Sequence, residues 1–230
     1  MLTLDDLRKT VRPYVPLSVV MGKGENVKIS PQQQFYLTDI VNRPFLNIGE
    51  RKTTLRLTNY MSTTIKDYLT SHDLAKEVPF LLTTGQGRPG VYLEITPLGC
   101  KILGIETYRH SFFHRFAVHI VTECFLKEGY KVDKEVVIPS TDKHYVDVIA
   151  EKGKEKIALE IETGMSNFVS NVQRLLEAGF TRIEVVVSME QESKLKQDIL
   201  SSIDKGEYEK IFVRNINYYY EKLNKGKKEE

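Results

Sequence analysis

Three acidic residues sit among residues that otherwise read as buried strand: Asp147 in YVDVIA, and Glu160 and Glu162 in ALEIETG. Burying a carboxylate in such surroundings is costly unless it is paired or bound to a cation. Glu160 and Glu162 are two apart, so they share a strand face. If Asp147 lies on the neighbouring strand with its side chain toward the same side, three carboxylates converge, and an oxygen-only set of this kind suits Mg²⁺ or Mn²⁺. The competing reading of LEIE is an ordinary alternating strand whose acids face solvent. His114, with His110 and His119 nearby, and the pair Asn167 and Asn171 are auxiliary candidates. Asn167 and Asn171 are four apart and share a helix face, while a His among aromatics also reads as packing. Lys143, Lys152 and Lys156 are the nearby cations.

The elements that would position these groups follow from period and punctuation. A helix starts at Ser111 in HSFFHRFAVHIVTECFLKEGY and ends at Gly129. Three strand-type runs follow, KVDKEVVIPS, HYVDVIAEK and KIALEIETG, the last two forming a hairpin around Gly153. Ser166 starts the helix NFVSNVQRLLEAG, and RIEVVVSM reads as a strand buried on both faces. A helix around SKLKQDILSS and a run KIFVRNI complete the order, and KLNKGKKEE reads as a fraying charged tail.

Upstream, Ser30-Pro31 is a helix start, with the helix running through QQQFYLTDIVN to the residue before Pro44. A second helix spans ERKTTLRLT after Gly49, and a third, TTIKDYLTSHDLAKEV, is capped by Ser62. PFLLTTGQGRPGVYLEIT reads as a hairpin around a glycine-rich turn, and Thr96-Pro97 caps a short helix LGCKIL. These patterns predict an α+β chain of two domains: 1–106, with its core at about 30–104, and 107–230 with a mixed central sheet.

Three helices, then a hairpin with a basic glycine-rich tip ending in LEITPLGCKIL, resemble a winged helix-turn-helix. The resemblance implies DNA binding, with the third helix in a major groove and the wing over the backbone. Ser62, Thr63, Thr64 and Lys66 would then reach base edges or phosphates, and Lys52, Arg56 and Arg88 would contact phosphates. Solvated surface is the alternative for each of them. Residues 111–190 resemble the PD-(D/E)XK nuclease superfamily of restriction enzymes and Holliday-junction resolvases. Its two acids fall on Asp147 and Glu160, but its lysine falls on Glu162, and Val146 stands in place of its proline. The resemblance implies a restriction-endonuclease-like α/β domain and Mg²⁺- or Mn²⁺-dependent cleavage of duplex or branched DNA. Asp147 and Glu160 would hold the metal, Glu162 would be a general base or second metal ligand, and the protein would act as a homodimer. With the lysine missing, the other reading is a non-catalytic regulator whose nuclease-like domain serves dimerisation or partner binding. A third makes the winged helix a protein-interaction module.

Composition narrows the classes. The chain has 230 residues, 41% apolar and 28% charged, enough for real cores and too apolar for disorder. Cys100 and Cys124 alone cannot form a disulfide framework or a cysteine-cluster zinc site. No apolar run approaches the length of a membrane span and MLTLDDLRKT lacks a signal-peptide pattern, so a soluble cytoplasmic protein is expected. Net charge is +2, with 13 basic and 10 acidic residues up to Glu106 and 20 and 21 after it. A nucleic-acid partner would have to be held by a local patch.

Overall fold

The computed structural model describes residues 18–20, 26–80, 82, 90–138, 145–164, 167–188 and 190–224. They form an α+β chain of two compact units, with the main boundary between Arg109 and His110. Among the described residues no helix is long and apolar enough to cross a membrane.

In the first unit a short antiparallel pair, β1 (Ser18–Val20) and β2 (Asn26–Lys28), precedes three helices. α1 (Pro31–Asn42) starts with a full capping box, Ser30 and Gln33 satisfying each other's backbone N–H groups. It stops where Pro44 disfavours helical backbone in the preceding residue. α2 (Ile48–Thr54) uses a second box, Asn47 with Glu50. α3 (Asn59–Ser71) is capped by the Thr58 hydroxyl, which accepts the Met61 N–H at 3.2 Å. β3 (Ala75–Phe80) pairs antiparallel with β4 (Gly90–Ile95), and α4 (Pro97–Leu103) is capped by Thr96. Tyr36, Leu37, Ile40, Leu69, Leu74 and Leu93 centre the core.

Two features lock this unit. Arg51 is fully buried; its guanidinium ion-pairs with Asp39 and donates to the carbonyls of Arg43 at 2.8 Å and Leu46 at 3.3 Å, tying α2 to the end of α1. At Gly99 a Cβ would lie 2.2 Å from the Leu74 carbonyl oxygen, so α4 approaches the α3–β3 corner only because that residue is glycine.

The third helix differs from expectation at both ends. It starts at Asn59 rather than after Ser62, and Ser62 is buried on its inner face. It ends at Ser71, and the segment AKEV is instead the start of β3, with Ala75 opposite Ile95 and Lys76 opposite Glu94. Helix propensity in AKEV yields to a strand partner. The hairpin is therefore longer than PFLLTT alone.

The second unit opens with α5 (Phe112–Lys127), capped by Ser111. A five-stranded mixed sheet has the order β5 (Lys131–Val137), β6 (Tyr145–Lys152), β7 (Glu155–Ile161), β8 (Arg182–Val187), β9 (Ile211–Asn215). The first three strands are antiparallel neighbours, and β7–β8 and β8–β9 are parallel. The parallel crossovers are α6 (Phe168–Glu177) and α7 (Glu192–Ser202), the latter followed by a 3₁₀ turn (Lys205–Lys210). Val172, Leu175, Leu195 and Ile199 pack with Ile149, Ala158, Ile183 and Val185 on one sheet face. α5 covers the other together with α8 (Ile216–Asn224). β8 is buried on both faces as its apolar run predicts.

α8 is an addition to the expected elements. Its three consecutive tyrosines blur any stripe, yet Ile216 and Tyr219 are buried. Lys222–Asn224, which read as part of a fraying tail, belong to this helix, and residues 225–230 lie outside the described residues. β5 is an end strand carrying exposed Lys131, Asp133, Lys134 and Glu135, and Glu135 adopts left-handed backbone (φ 49°).

Candidate active site

Register brings Asp147 and Glu160 together. β6 and β7 pair as far as Val148↔Leu159, so Asp147 and Glu160 both stand at the end of that ladder, near enough for Asp147 to act on the Glu160 carboxyl. Glu160 follows Ala158 onto the face that α6 and α7 cover, at the carboxyl end of the parallel strands. The ladder ends there because side chain replaces backbone: Asp147 Oδ2 accepts the Ile161 N–H at 2.8 Å. Asp147 Oδ1 lies 3.0 Å from His114 Nε2, so His114, in the first turn of α5, fixes the second oxygen.

Glu160 has no such support. Its carboxyl makes no hydrogen bond among the described residues, and its pKa is pushed up to about 8. Burial is the main cause and Asp147 the next; Arg174 on α6 opposes them, and Glu162 adds a further rise. Glu162 lies just beyond β7. Its backbone N–H extends the ladder to the Val186 carbonyl at 2.9 Å, and its buried Oε1 accepts the Gly164 N–H at 2.5 Å. Gly164, at φ 86°, makes the turn that presents this donor. Among the described residues no group of three or more His, Cys, Asp or Glu side chains is gathered as a metal site.

The auxiliary candidates separate. Asn167 is the N-cap of α6, its side chain accepting the Ser170 N–H at 3.4 Å, while Ser166 lies outside the described residues. Asn171 accepts a hydrogen bond from the Arg174 guanidinium. Arg174, not anticipated, is the cation that acts on the carboxylates; its spacing of three from Asn171 on an amphipathic helix is the signal that could have found it. Lys152 and Lys156 are engaged elsewhere, Lys152 with the Glu128 carbonyl at 2.6 Å and Lys156 with Glu151 at 3.4 Å. Lys143 lies outside the described residues. His110 stacks on His114, centroids 4.3 Å apart, and sits 3.8 Å from Glu135. His119 is elsewhere on α5, its pKa lowered by burial.

In the first unit Thr63 and Thr64 are exposed on α3. Lys66 is not free: its ammonium contacts Glu77 at 2.5 Å and Asp67 at 2.8 Å, and these hydrogen bonds raise its pKa. Lys52 donates to Asn59 Oδ1 at 2.7 Å, and Arg56 is exposed with left-handed backbone (φ 53°). Arg88 lies outside the described residues. Tyr60, 79% exposed, is the large side chain on α3 that sequence reasoning missed; it is out of phase with buried Ser62, Ile65 and Leu69.

No family model matches the chain, and no curated protein matches it. Among solved structures, a crystal structure of a protein of unknown function, AF1548, is similar at a TM-score of 0.37 and 20% identity, over 50% of this chain and 67% of that one.

Proposed function

We propose that this chain is a DNA-processing protein. Its first unit, a winged helix-turn-helix, holds duplex DNA, and its second, a PD-(D/E)XK-type domain, is a divalent-metal-dependent endonuclease. The observation that carries this reading is the closeness of Asp147 and Glu160 at the end of the β6–β7 ladder, with Glu160 short of a hydrogen-bond donor among the described residues. Order of elements supports the domain readings: three helices and a hairpin in one unit, α-β-β-β-α-β in the other.

The donor set fits Mg²⁺ in its usual protein mode, one or two carboxylates with the remaining positions left to water and phosphate. Asp147 and Glu160 would hold it, and its chemistry there is polarising a phosphate and acidifying a bound water. His114 and the Ile161 N–H fix Asp147 in place. Arg174 supplies the positive charge that Glu162 cannot, from α6 rather than from β7. Glu162, steadied through Oε1 by the Gly164 N–H, is the carboxylate placed to accept a proton. Two strand cuts favour a homodimer.

The regulator reading draws on one observation: Glu162 stands in the lysine position and is turned into the Gly164 turn. Incubation of the purified protein with supercoiled, linear and branched DNA, with Mg²⁺, Mn²⁺ or EDTA, separates the two. Metal-dependent cleavage supports the enzyme, and binding without cleavage supports the regulator.

The first unit has its own test. Charge reversal at Lys52 or Arg56 weakens duplex binding and lowers the slope of log K against log[salt] by about one for each phosphate no longer neutralised. Fluorescence anisotropy across a salt series measures it. An unchanged slope in both variants removes these residues from the DNA surface. Lys66→Ala, by contrast, leaves the slope near wild type, because Glu77 and Asp67 already hold that ammonium.

A further inference from the structure

We infer that two copies of this chain join through the outer edge of β9, antiparallel about a two-fold axis at Val213, so that their sheets run on into one. β9 is an end strand, paired in parallel with β8 on one side only. Among the described residues the backbone of Phe212, Val213 and Arg214 hydrogen-bonds to no other segment, so the donors and acceptors on its outer side are unpaired. Open space lies along them: a cavity of about 290 Å³ is lined by four consecutive residues of β9, 211–214, with Tyr208 of the 3₁₀ turn and Ile199 of α7. Four residues in a row belong to both sheet faces, which places the cavity along the edge and not under one face.

Nothing on β9 turns a neighbour away. No residue from 211 to 215 has a positive φ. Its one charged side chain, Arg214, lies 5.4 Å from the Phe212 ring centroid and 4.3 Å from that of Tyr218, and the buried Glu184 carboxylate on β8 acts on it. The Asn215 side chain is also engaged, donating to Glu192 and accepting the Tyr218 N–H at 3.2 Å.

The sequence IFVRN points to a second copy as the occupant, and to one register. Val213 packs with Ile183, Val185 and Ile199 in the core beneath α7, so Phe212 and Arg214 project to the opposite face. An axis at Val213 sets Phe212 across from the partner's Arg214, ring beside cation, and symmetry makes this contact twice. An axis at Phe212 would set Arg214 across from Lys210, and an axis at Arg214 would set two guanidiniums against each other. Both oppose like charges, which destabilises a strand pair. The edge therefore complements itself in one register, as an isologous interface requires. This gives the homodimer of the proposed function its interface. Its test uses neither metal nor DNA, so its failure leaves the nuclease reading to the cleavage assay.

Cysteine cross-linking of the full chain in EDTA tests the pairing. Residues opposed across antiparallel strands have Cα atoms about 4.5–5.5 Å apart, within reach of a disulfide. Val213 is buried in one copy, so a thiol there meets another only where two edges pair. On addition of diamide, Val213→Cys is expected to form a covalent dimer at least about tenfold faster than Lys134→Cys, whose exposed position on β5 controls for random collision. Cys100 and Cys124 are buried, so the wild type stays unlinked. Sedimentation gives a separate reading: the wild type is expected to form a dimer, and Phe212→Lys, which faces the partner's Arg214 with a like charge, to weaken it by about tenfold or more. Circular dichroism checks that this variant folds, and if it does not, the cross-linking rate decides. A wild type that sediments as a monomer up to about 100 μM, or Val213→Cys linking no faster than Lys134→Cys, overturns the proposal.

Discussion

If the chain is the proposed endonuclease, Asp147→Asn and Glu160→Gln are each expected to lower Mg²⁺-dependent nicking of supercoiled DNA by roughly 10³-fold or more, because each removes half of the charge that would hold the cation. Gel quantification of initial rates measures this, and anisotropy with the same DNA in EDTA is expected to show unchanged binding, on the proposal that the first unit holds the duplex. Supporting residues matter less. His114→Ala frees one Asp147 oxygen and is expected to cost about 10–100-fold, the usual range for a group that orients a metal ligand. Arg174→Gln removes the cation that draws down Glu160 and slows cleavage without abolishing DNA binding. Glu162→Lys divides the two functional readings: impaired cleavage supports a base or ligand role, and cleavage gained where the wild type has none supports a decayed site. A wild-type protein that cuts no DNA form with Mg²⁺ or Mn²⁺ ends the enzyme reading.

The second large effect is on stability against pH. Glu160 holds its proton to about pH 8 when folded, against an ordinary carboxyl value of 4.5 when unfolded. A raised folded pKa means that the native state binds more protons between those values, so its contribution is full below about pH 4.5 and is lost as pH rises to about 8. The loss is on the order of 3–5 kcal/mol before solvent screening. Glu160→Gln keeps a neutral side chain of the same shape, so the variant should gain on wild type progressively from pH 5 to 8. Above pH 8 the gap should be constant. Urea melts of the second unit's transition in EDTA provide the measurement. Parallel curves for the two proteins across that range would show that Glu160 titrates normally, and with it that its carboxyl is neither withdrawn from water nor crowded by Asp147. Mg²⁺ should reverse the sign of the comparison at pH 8, stabilising wild type and leaving the variant unmoved.

The same crowding explains what is legible in the sequence. Acidic residues inside apolar runs announce themselves, because nothing in strand propensity favours them; Asp147 and Glu160 are visible for that reason. Their placement on neighbouring strands depends only on a short hairpin around Gly153, so it too can be read. Arg174 cannot, because a cation on an amphipathic helix looks like solvated surface until the helix is laid over the sheet. Lys66 shows the reverse case: it reads as a surface cation, and Glu77, eleven residues later on β3, is the partner that sequence does not place beside it. The end of α3 is missed for a related reason. AKEV has no strong local preference, and only β4, across the hairpin, makes it a strand. At the other end Thr58 and Ser62 are equally good caps by residue type, and only packing decides between them, since Ser62 faces the core.

The charged, kinked end strand β5 has a consequence for assembly. A free sheet edge invites strand addition from another copy, and native proteins discourage it with charges and backbone irregularities. β5 has both: four charged residues in seven positions, and Glu135 in a left-handed conformation that breaks the row of donors and acceptors. A continuous sheet running through two copies is therefore closed on this side, and the protein is guarded here against fibril-like growth. Under the proposed function, two copies acting on one duplex would have to meet elsewhere on their surfaces.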